Sequence, residues 1–177
     1  PVILTTTKQV GAAYDAVVRY GVRRYGGAAY WLPLVAETYD GYLNDADAFP
    51  LKEEHFIAAL ENAHDGPVAE GNTGGGTGMI CYEFKGGTGT ASRLVEIGDH
   101  RYTVGALVQA NFGWREHLRV DGAPVGCRIS REIVPSPWPK PKPVVSSSII
   151  AVLATDAPLL PHQCRTLAQR ATVGVAR

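Results

Sequence analysis

The stretch AEGNTGGGTGMICYEFKGGTGTASR, residues 69–93, is a glycine-rich block whose interpretation decides the fold. Backbone N–H groups of consecutive glycines can cradle a phosphate. A P-loop, however, needs a lysine directly after its last glycine and then Ser or Thr, whereas Lys85 lies past the cluster and precedes Gly86. A dinucleotide-binding loop needs a helix after the glycines, whereas residues 79–84, MICYEF, are typical of a strand. The block therefore predicts tight turns in which two backbones approach closely.

Composition and charge limit the classes of protein that this chain can belong to. With 177 residues and 45% hydrophobic content, the chain can bury one sizeable core, and we expect a single domain over residues 1–177. The 17 basic and 17 acidic residues balance, so we expect neither a nucleic-acid nor a membrane partner, and small ligands fit better. Cys81, Cys127 and Cys164 lack the spacing of a zinc site or a disulfide framework. They predict buried, reduced thiols and no metal.

Two amphipathic helices are predicted in the first half of the chain. The first begins near Val10, with Thr7 as its N-cap and Gly26 at its end. The second covers residues 52–63, where apolar side chains share one face and charged side chains the other. Between them, a short apolar strand begins near Leu32 and leads into a polar loop.

The second half combines strands, a proline-rich loop and a helix. Residues 102–110 predict a largely buried strand, and the Asp-Gly pair within residues 118–126 predicts a hairpin. Residues 135–143, PSPWPKPKP, cannot donate enough hydrogen bonds for a helix or sheet and predict an exposed loop. A buried strand and a helix entered at Pro161 follow. Because strands and helices are mixed without regular βαβ alternation, we expect a layered α/β sandwich.

Ser148 is the candidate nucleophile that the residues themselves suggest. It begins a predicted strand directly after the proline-rich loop, where the chain could be cut. Cleavage before Ser148 would give it a free α-amino group, whose ordinary pKa of about 7.7–8.0 lets it accept the hydroxyl proton near neutral pH. One residue would then supply both nucleophile and base. The alternative is that the three consecutive serines at 146–148 only cap or solvate a loop.

Four blocks resemble the DmpA family of L-aminopeptidase/D-esterases and β-peptidyl aminopeptidases. They are LVAETYDGYLND at 34–45, PVAEGNTGGGTGMICYEFKGGTGTASR at 67–93, YTVGALVQANFG at 102–113 and SIIAVLATDAPLLPHQ at 148–163. The family is similar to N-terminal-nucleophile hydrolases. The resemblance implies an αββα sandwich with its own connectivity and a precursor that cleaves itself before the nucleophilic serine. It also implies a homo-oligomer of two-chain units and no cofactor.

The resemblance implies roles for individual residues. The family nucleophile corresponds to Ser148, and the oxyanion donors of the family correspond to Asn111 and Tyr39. The glutamate that holds the free amine of the substrate corresponds to Glu37. The residues at 135–147 form the loop before the self-cleavage site, and residues 148–177 begin the nucleophile-bearing chain. The substrates are then short peptides, amides or esters, and the glycine-rich block forms main-chain walls beside the catalytic centre.

Two departures from the family pattern keep other functions open. Relatives place glycine before the nucleophile, whereas this chain has Ser147, whose Cβ hinders the twisted backbone needed for self-cleavage. A Ser-x-Glu pair that relatives carry after the last helix is not present, and we expect the sequence to be incomplete at both ends. The alternatives are a catalytically silent binding or assembly module and an acyltransferase of related architecture. A cytoplasmic location is expected, with a periplasmic one left open.

Overall fold

The computed structural model describes residues 1–27, 30–138 and 147–177, which divide into two compact units, Pro1–Ala69 and Glu70–Arg177. Most of the predicted proline-rich loop, residues 139–146, lies outside the described residues. The single domain and the boundary before residue 148 stay predictions, and the two units are described separately below.

The first unit is a parallel strand pair joined by a helix. Its elements are β1 (Val2–Thr6), α1 (Val10–Tyr25), β2 (Leu34–Thr38) and α2 (Glu53–Glu61). β1 and β2 pair from Val2 opposite Leu34 to Thr6 opposite Thr38. Parallel strands need a long crossover connection, and the connection here contains α1. The core consists of Ala13, Ala16 and Phe56, with Ile3, Val35 and Leu51 packed against them.

Both helices predicted in this unit are confirmed, with one change at an end. Gly26 follows α1 with a φ of 80°, a left-handed value that glycine adopts at little cost. Thr7 is not a helix cap, because its side chain makes no capping hydrogen bond and it lies in a short 3-10 turn before α1. Its hydroxyl instead donates a hydrogen bond to the carboxylate of Glu37 on β2. A tertiary partner thus replaces the local one that the sequence suggested.

The second unit is built on a three-stranded antiparallel sheet. Its elements are β3 (Ile80–Cys81), β4 (Phe84–Lys85), β5 (Gly87–Ile97), β6 (His100–Asn111), α3 (Val125–Arg128), β7 (Ser148–Thr155), α4 (Pro161–Gln169) and α5 (Ala171–Val175). The order in the sheet is β5-β6-β7. The strands predicted at 102–110 and after Ser147 are confirmed, although most of their residues are only half-buried. Pro161 is the first residue of α4, as predicted.

Residues 80–85 form a tight hairpin, whereas the sequence predicted a single strand over residues 79–84. β3 pairs with β4 in antiparallel register, with Cys81 opposite Phe84. The two residues between them, Tyr82 and Glu83, have φ values of 52° and 67°, which are uncommon for residues other than glycine. Tertiary contacts hold this conformation: the Tyr82 ring meets Phe112 edge-on at 5.1 Å between centroids.

The Glu83 carboxylate is the buried anchor of this hairpin. Its side chain is fully buried and lies 2.9 Å from the Arg131 guanidinium and 3.8 Å from that of Arg115. The Arg115 side chain is itself only 3% exposed and packs over the Phe84 ring. Arg115 also donates to the carbonyl oxygen of Ser130 at 3.1 Å. The carboxylate therefore compensates a buried charge and joins the hairpin to the segment after α3.

Two other predictions are only partly right. The Asp121-Gly122 pair forms a turn with positive φ at both residues, but a single bridge from Val120 to Ala123 replaces the expected hairpin strands. All three cysteines are free, yet only Cys81 is even half-buried, since Cys127 and Cys164 lie on the surface. Burial raises the pKa of the Cys81 thiol.

Within the described residues, no helix has both the length and the apolar character needed to cross a bilayer.

We expect Glu83→Gln to lower the free energy of unfolding by about 3–5 kcal/mol, because it leaves the buried Arg115 without its counter-charge. Urea denaturation of the full-length protein measures this change. The matched control is Glu96→Gln, which breaks an ion pair with Arg101 whose two side chains are 67% and 64% exposed. The control should leave the midpoint nearly unchanged. Equal midpoint shifts in the two variants would contradict the role assigned to Glu83.

Candidate active site

Ser148 and Asn111 meet where β6 ends and β7 begins. Asn111 is the last residue of β6, Ser148 is the first residue of β7, and the two are opposite each other in the antiparallel register. The Asn111 side-chain amide donates from Nδ2 to Oγ of Ser148 at 3.0 Å. Both residues are half-buried, so the pair is partly exposed to solvent. The structure thus brings together two of the four residues that the resemblance singled out.

The backbone of Ile80 sets the orientation of the Asn111 amide. The Ile80 N–H donates to Oδ1 of Asn111 at 2.9 Å. Because a backbone N–H can only donate, the amide must present its oxygen to Ile80 and its NH2 group to Ser148. Asn111 is therefore held as a hydrogen-bond donor toward the Ser148 hydroxyl. This geometry suits a group that stabilises negative charge at an oxygen next to Oγ.

The glycine-rich block packs directly against β6, the strand that carries Asn111. A Cβ on Gly86 would lie 2.6 Å from the carbonyl oxygen of Ala110, the residue before Asn111. A Cβ on Gly76 would lie 2.6 Å from the backbone nitrogen of Thr88. Neither distance is compatible with a side chain, so the predicted close approach of two backbones is confirmed.

Three glycine N–H groups of the block donate hydrogen bonds within the protein. Gly71, Gly76 and Gly86 donate to the carbonyl oxygens of Thr88, Thr73 and Met79 at 2.7, 2.9 and 2.8 Å. These hydrogen bonds stabilise turns and do not converge on a common external point. They agree with the interpretation of the block as scaffold rather than a phosphate cradle.

The sheet separates the Ser148–Asn111 pair from a groove of about 550 Å³ in the same unit. The groove is lined by Ala110 of β6 and by Ile149, Ala151 and Leu153 of β7. Successive side chains of a strand point to opposite faces, so Ser148 and Asn111 face away from this groove. Although the groove is large, it lies on the opposite face of the sheet from Ser148 and Asn111 and is therefore not part of the candidate site.

Glu37 and Tyr39 belong to the first unit. Glu37 lies on β2, where its carboxylate accepts the Thr7 hydroxyl hydrogen bond. Tyr39 follows β2 and is 46% exposed. Its ring lies directly over Gly41, where an added Cβ would be 2.5 Å from Cζ of Tyr39. Gly41 is therefore required for the observed position of the Tyr39 hydroxyl.

Sequence reasoning missed the groups that position the site. Ile80 contributes through its backbone N–H, and Gly86 contributes through the absence of a side chain, so neither shows a reactive residue type. Thr7 has an informative residue type, but its partner is 30 residues away in the sequence. Among the described residues, no three His, Cys, Asp or Glu side chains group closely enough to hold a metal ion.

A sequence model of peptidase family S58 matches residues 1–177. The chain is 49% identical to the beta-peptidyl aminopeptidase BapA of Sphingosinicella microcystinivorans, over 100% of this chain and 47% of that protein. A solved beta-aminopeptidase from Burkholderia sp. is 54% identical with a TM-score of 0.88, over 99% of this chain and 47% of that chain. The L-aminopeptidase D-Ala-esterase/amidase of Ochrobactrum anthropi is 50% identical with a TM-score of 0.86, over 98% of this chain and 47% of that chain.

These similarities confirm the fold class expected from the sequence. The Ochrobactrum anthropi structure is described as a new variant of the Ntn hydrolase fold and a prototype of the serine aminopeptidases. The α/β class of the N-terminal-nucleophile type and the resemblance to L-aminopeptidase/D-esterases are both confirmed. The chain spans about half the length of the relatives that it matches.

We expect Gly86→Ala to lower the free energy of unfolding by about 1–3 kcal/mol, because the added methyl group must displace the end of β6. Gly89→Ala is the matched control, since a Cβ at Gly89 on β5 meets nothing within 4 Å. The control should leave stability unchanged or slightly raised. Urea midpoints of the two full-length variants make the comparison. If both variants lose the same stability, close packing at Gly86 is not what requires glycine there.

Proposed function

Because the chain belongs to peptidase family S58, we propose that the protein is a self-processing serine aminopeptidase. It releases N-terminal residues from short peptides, amides or esters through an acyl-enzyme on Ser148. The hydrogen bond from Asn111 to Ser148 at the paired strand ends is the observation that carries this proposal. It places a fixed donor beside the hydroxyl that the proposed reaction uses as its nucleophile.

The first chemical step is cleavage of the chain before Ser148. Oγ of Ser148 attacks the carbonyl carbon of Ser147, the C–N bond between the two residues breaks, and the nitrogen takes up the hydroxyl proton. Water then hydrolyses the resulting ester and leaves Ser147 with a carboxylate and Ser148 with a free α-amino group. The exposed position of Ser147 supports access of water to this bond. The pairing of residues 149–155 with β6 supports retention of Ser148 after the cut.

The second step is turnover of substrate by the new N-terminus. The α-amino group of Ser148 accepts the Oγ proton while Oγ attacks the substrate carbonyl. The oxyanion and Oγ are bonded to the same carbon in the tetrahedral intermediate, so a donor 3.0 Å from Oγ lies within reach of both oxygens. The amine then returns the proton to the leaving group. Water hydrolyses the acyl-enzyme by the same proton transfers in reverse order.

We assign Tyr39 and Glu37 the roles that the family resemblance implies. The Tyr39 hydroxyl acts as a second hydrogen-bond donor to the oxyanion, and the Glu37 carboxylate binds the ammonium group of the substrate. The hydrogen bond from Thr7 supports the second role, since it orients the carboxylate and leaves it further acceptor sites. A charge-assisted contact of this kind favours removal of N-terminal residues over cleavage within a chain.

We also propose that the processed protein assembles as a homo-oligomer of two-chain units. Large apolar side chains at the far end of β5 support this assembly, since Leu94 and Ile97 are 63% and 62% exposed. Burial of such residues between copies would remove them from water.

We expect mass spectrometry of the full-length protein to show a fragment that begins at Ser148. Ser148→Ala should remain a single chain and should not hydrolyse amino-acid p-nitroanilides or β-alanyl amides, because both reactions use the same hydroxyl. The control is Ser147→Gly, which removes the Cβ next to the scissile bond and should be processed at least as fast as the wild type. An uncut wild-type protein without activity on these substrates would instead identify a silent binding module.

We expect Glu37→Gln to raise KM about tenfold or more for substrates with a free amine, because it removes a charge-assisted hydrogen bond. The value of kcat should change little if the contact is equally strong in the ground and transition states. The amide can still accept the hydrogen bond from Thr7, so the fold is preserved. Glu37→Gln should hydrolyse esters whose amine is acylated at the wild-type rate. The control is Glu61→Gln, which changes an exposed glutamate at the end of α2 and should leave the hydrolysis of all substrates unchanged. A uniform loss of kcat on both substrate types would contradict this role.

A further inference from the structure

The peptide group between Met79 and Ile80 links Asn111 to a second hydrogen-bonding centre. Its N–H donates to Oδ1 of Asn111 at 2.9 Å. Its carbonyl oxygen, on the Met79 side, accepts from the Gly86 N–H at 2.8 Å and from Nζ of Lys85 at 3.1 Å. The peptide that orients the Asn111 amide is therefore held from its other side by two donors.

Lys85 directs all three of its N–H groups at the glycine-rich block. Besides Met79, its ammonium donates to the carbonyl oxygens of Gly76 and Gly86, each at 2.8 Å. Lys85 lies on β4 opposite Ile80 in the register, which places it beside the peptide that it contacts. The partners of the ammonium are carbonyl oxygens, and none of the ion pairs of the described residues includes Lys85. Its charge is thus directed at main-chain dipoles.

Lys85, the Met79–Ile80 peptide group, Asn111 and Ser148 are joined by three successive hydrogen bonds. In each of them the donor lies on the Lys85 side and the acceptor on the Ser148 side. The ammonium donates to the Met79 carbonyl, the Ile80 N–H donates to Asn111, and Nδ2 of Asn111 donates to Oγ of Ser148. A cation at the carbonyl end of a peptide polarises its N–H, and successive hydrogen bonds strengthen one another. Positive potential is consequently transmitted toward the place where the proposed reaction develops negative charge.

We propose that Lys85 is a positioning residue for the Ser148–Asn111 pair, acting through the Met79–Ile80 peptide group. It fixes the plane of that peptide and makes the Asn111 amide a stronger donor. This inference rests on the proposed function, since its catalytic consequence requires an oxyanion beside Ser148. A purely structural role for Lys85, as a brace for the glycine turns, is the competing explanation.

The test compares Lys85→Met, which keeps the apolar stem and removes the charge, with Lys85→Arg, which keeps the charge, in the full-length protein. We expect Lys85→Met to lower kcat about tenfold with KM changed less than about twofold, and Lys85→Arg to recover part of the loss. Arg101→Met is the control, because it removes an exposed charge at the opposite end of β6 and should leave kcat unchanged.

A double-mutant cycle separates positioning from bracing. If Lys85 acts through Asn111, Lys85→Met should cause no further loss of kcat in the Asn111→Ala background. An equal further loss in that background would overturn the proposal, as would a change in KM alone. Lys85→Gln repeats the test as a second neutral variant, and failure of both neutral variants to fold would identify Lys85 as a brace and also overturn the proposal.

Amide hydrogen exchange provides a readout that does not depend on activity. In Lys85→Met, the Ile80 amide should exchange faster while the amides paired between β5 and β6 keep their protection. Unchanged exchange at Ile80 would overturn the proposal. A wild-type protein that hydrolyses no amide or ester would refute the proposed function, whereas the exchange experiment would still decide whether Lys85 holds this peptide.

Discussion

The close contact between the glycine-rich block and β6 is the constraint on which the candidate site depends. Because Gly86 has no side chain, its backbone lies against the carbonyl of Ala110 and the adjacent turn presents the Ile80 N–H to Asn111. That single hydrogen bond determines which end of the Asn111 amide faces Ser148. A main-chain scaffold is suited to this task, because its hydrogen-bonding groups have few alternative positions once the turns are formed.

The same region holds an unfavourable backbone conformation through contacts with distant parts of the chain. Tyr82 and Glu83 both adopt positive φ, which costs non-glycine residues conformational energy. The Glu83 carboxylate offsets this cost by neutralising Arg115, which would otherwise carry a buried, unpaired charge. The hairpin is thus held by ionic and aromatic contacts to distant parts of the chain. Such strain is common near functional sites, where the geometry of a few groups matters more than local preference.

Ser148, the proposed nucleophile, is the first residue of a strand, and this position meets two requirements of the proposed reaction. Its N-terminal side can be cut, while the strand that follows keeps its hydrogen bonds to β6. In the first unit, β2 similarly holds Glu37 by pairing along its whole length with β1, while Gly41 leaves room for the Tyr39 ring. In both units, regular strand pairing positions a residue of the proposed site at or near a strand end, and a hydrogen bond from outside that strand pair orients a side chain there.

The sequence by itself determined the helices α1 and α2, the strands β6 and β7 and the entry of Pro161 into α4, because periodicity and proline geometry act locally. Resemblance of four blocks then identified the family and proposed Ser148, Asn111, Tyr39 and Glu37. Only the tertiary structure decided that residues 80–85 turn back as a hairpin, that Thr7 binds Glu37 instead of capping a helix, and that the Ile80 backbone orients Asn111. These features depend on partners distant in sequence and on backbone groups that every residue carries, so residue types alone could not indicate them.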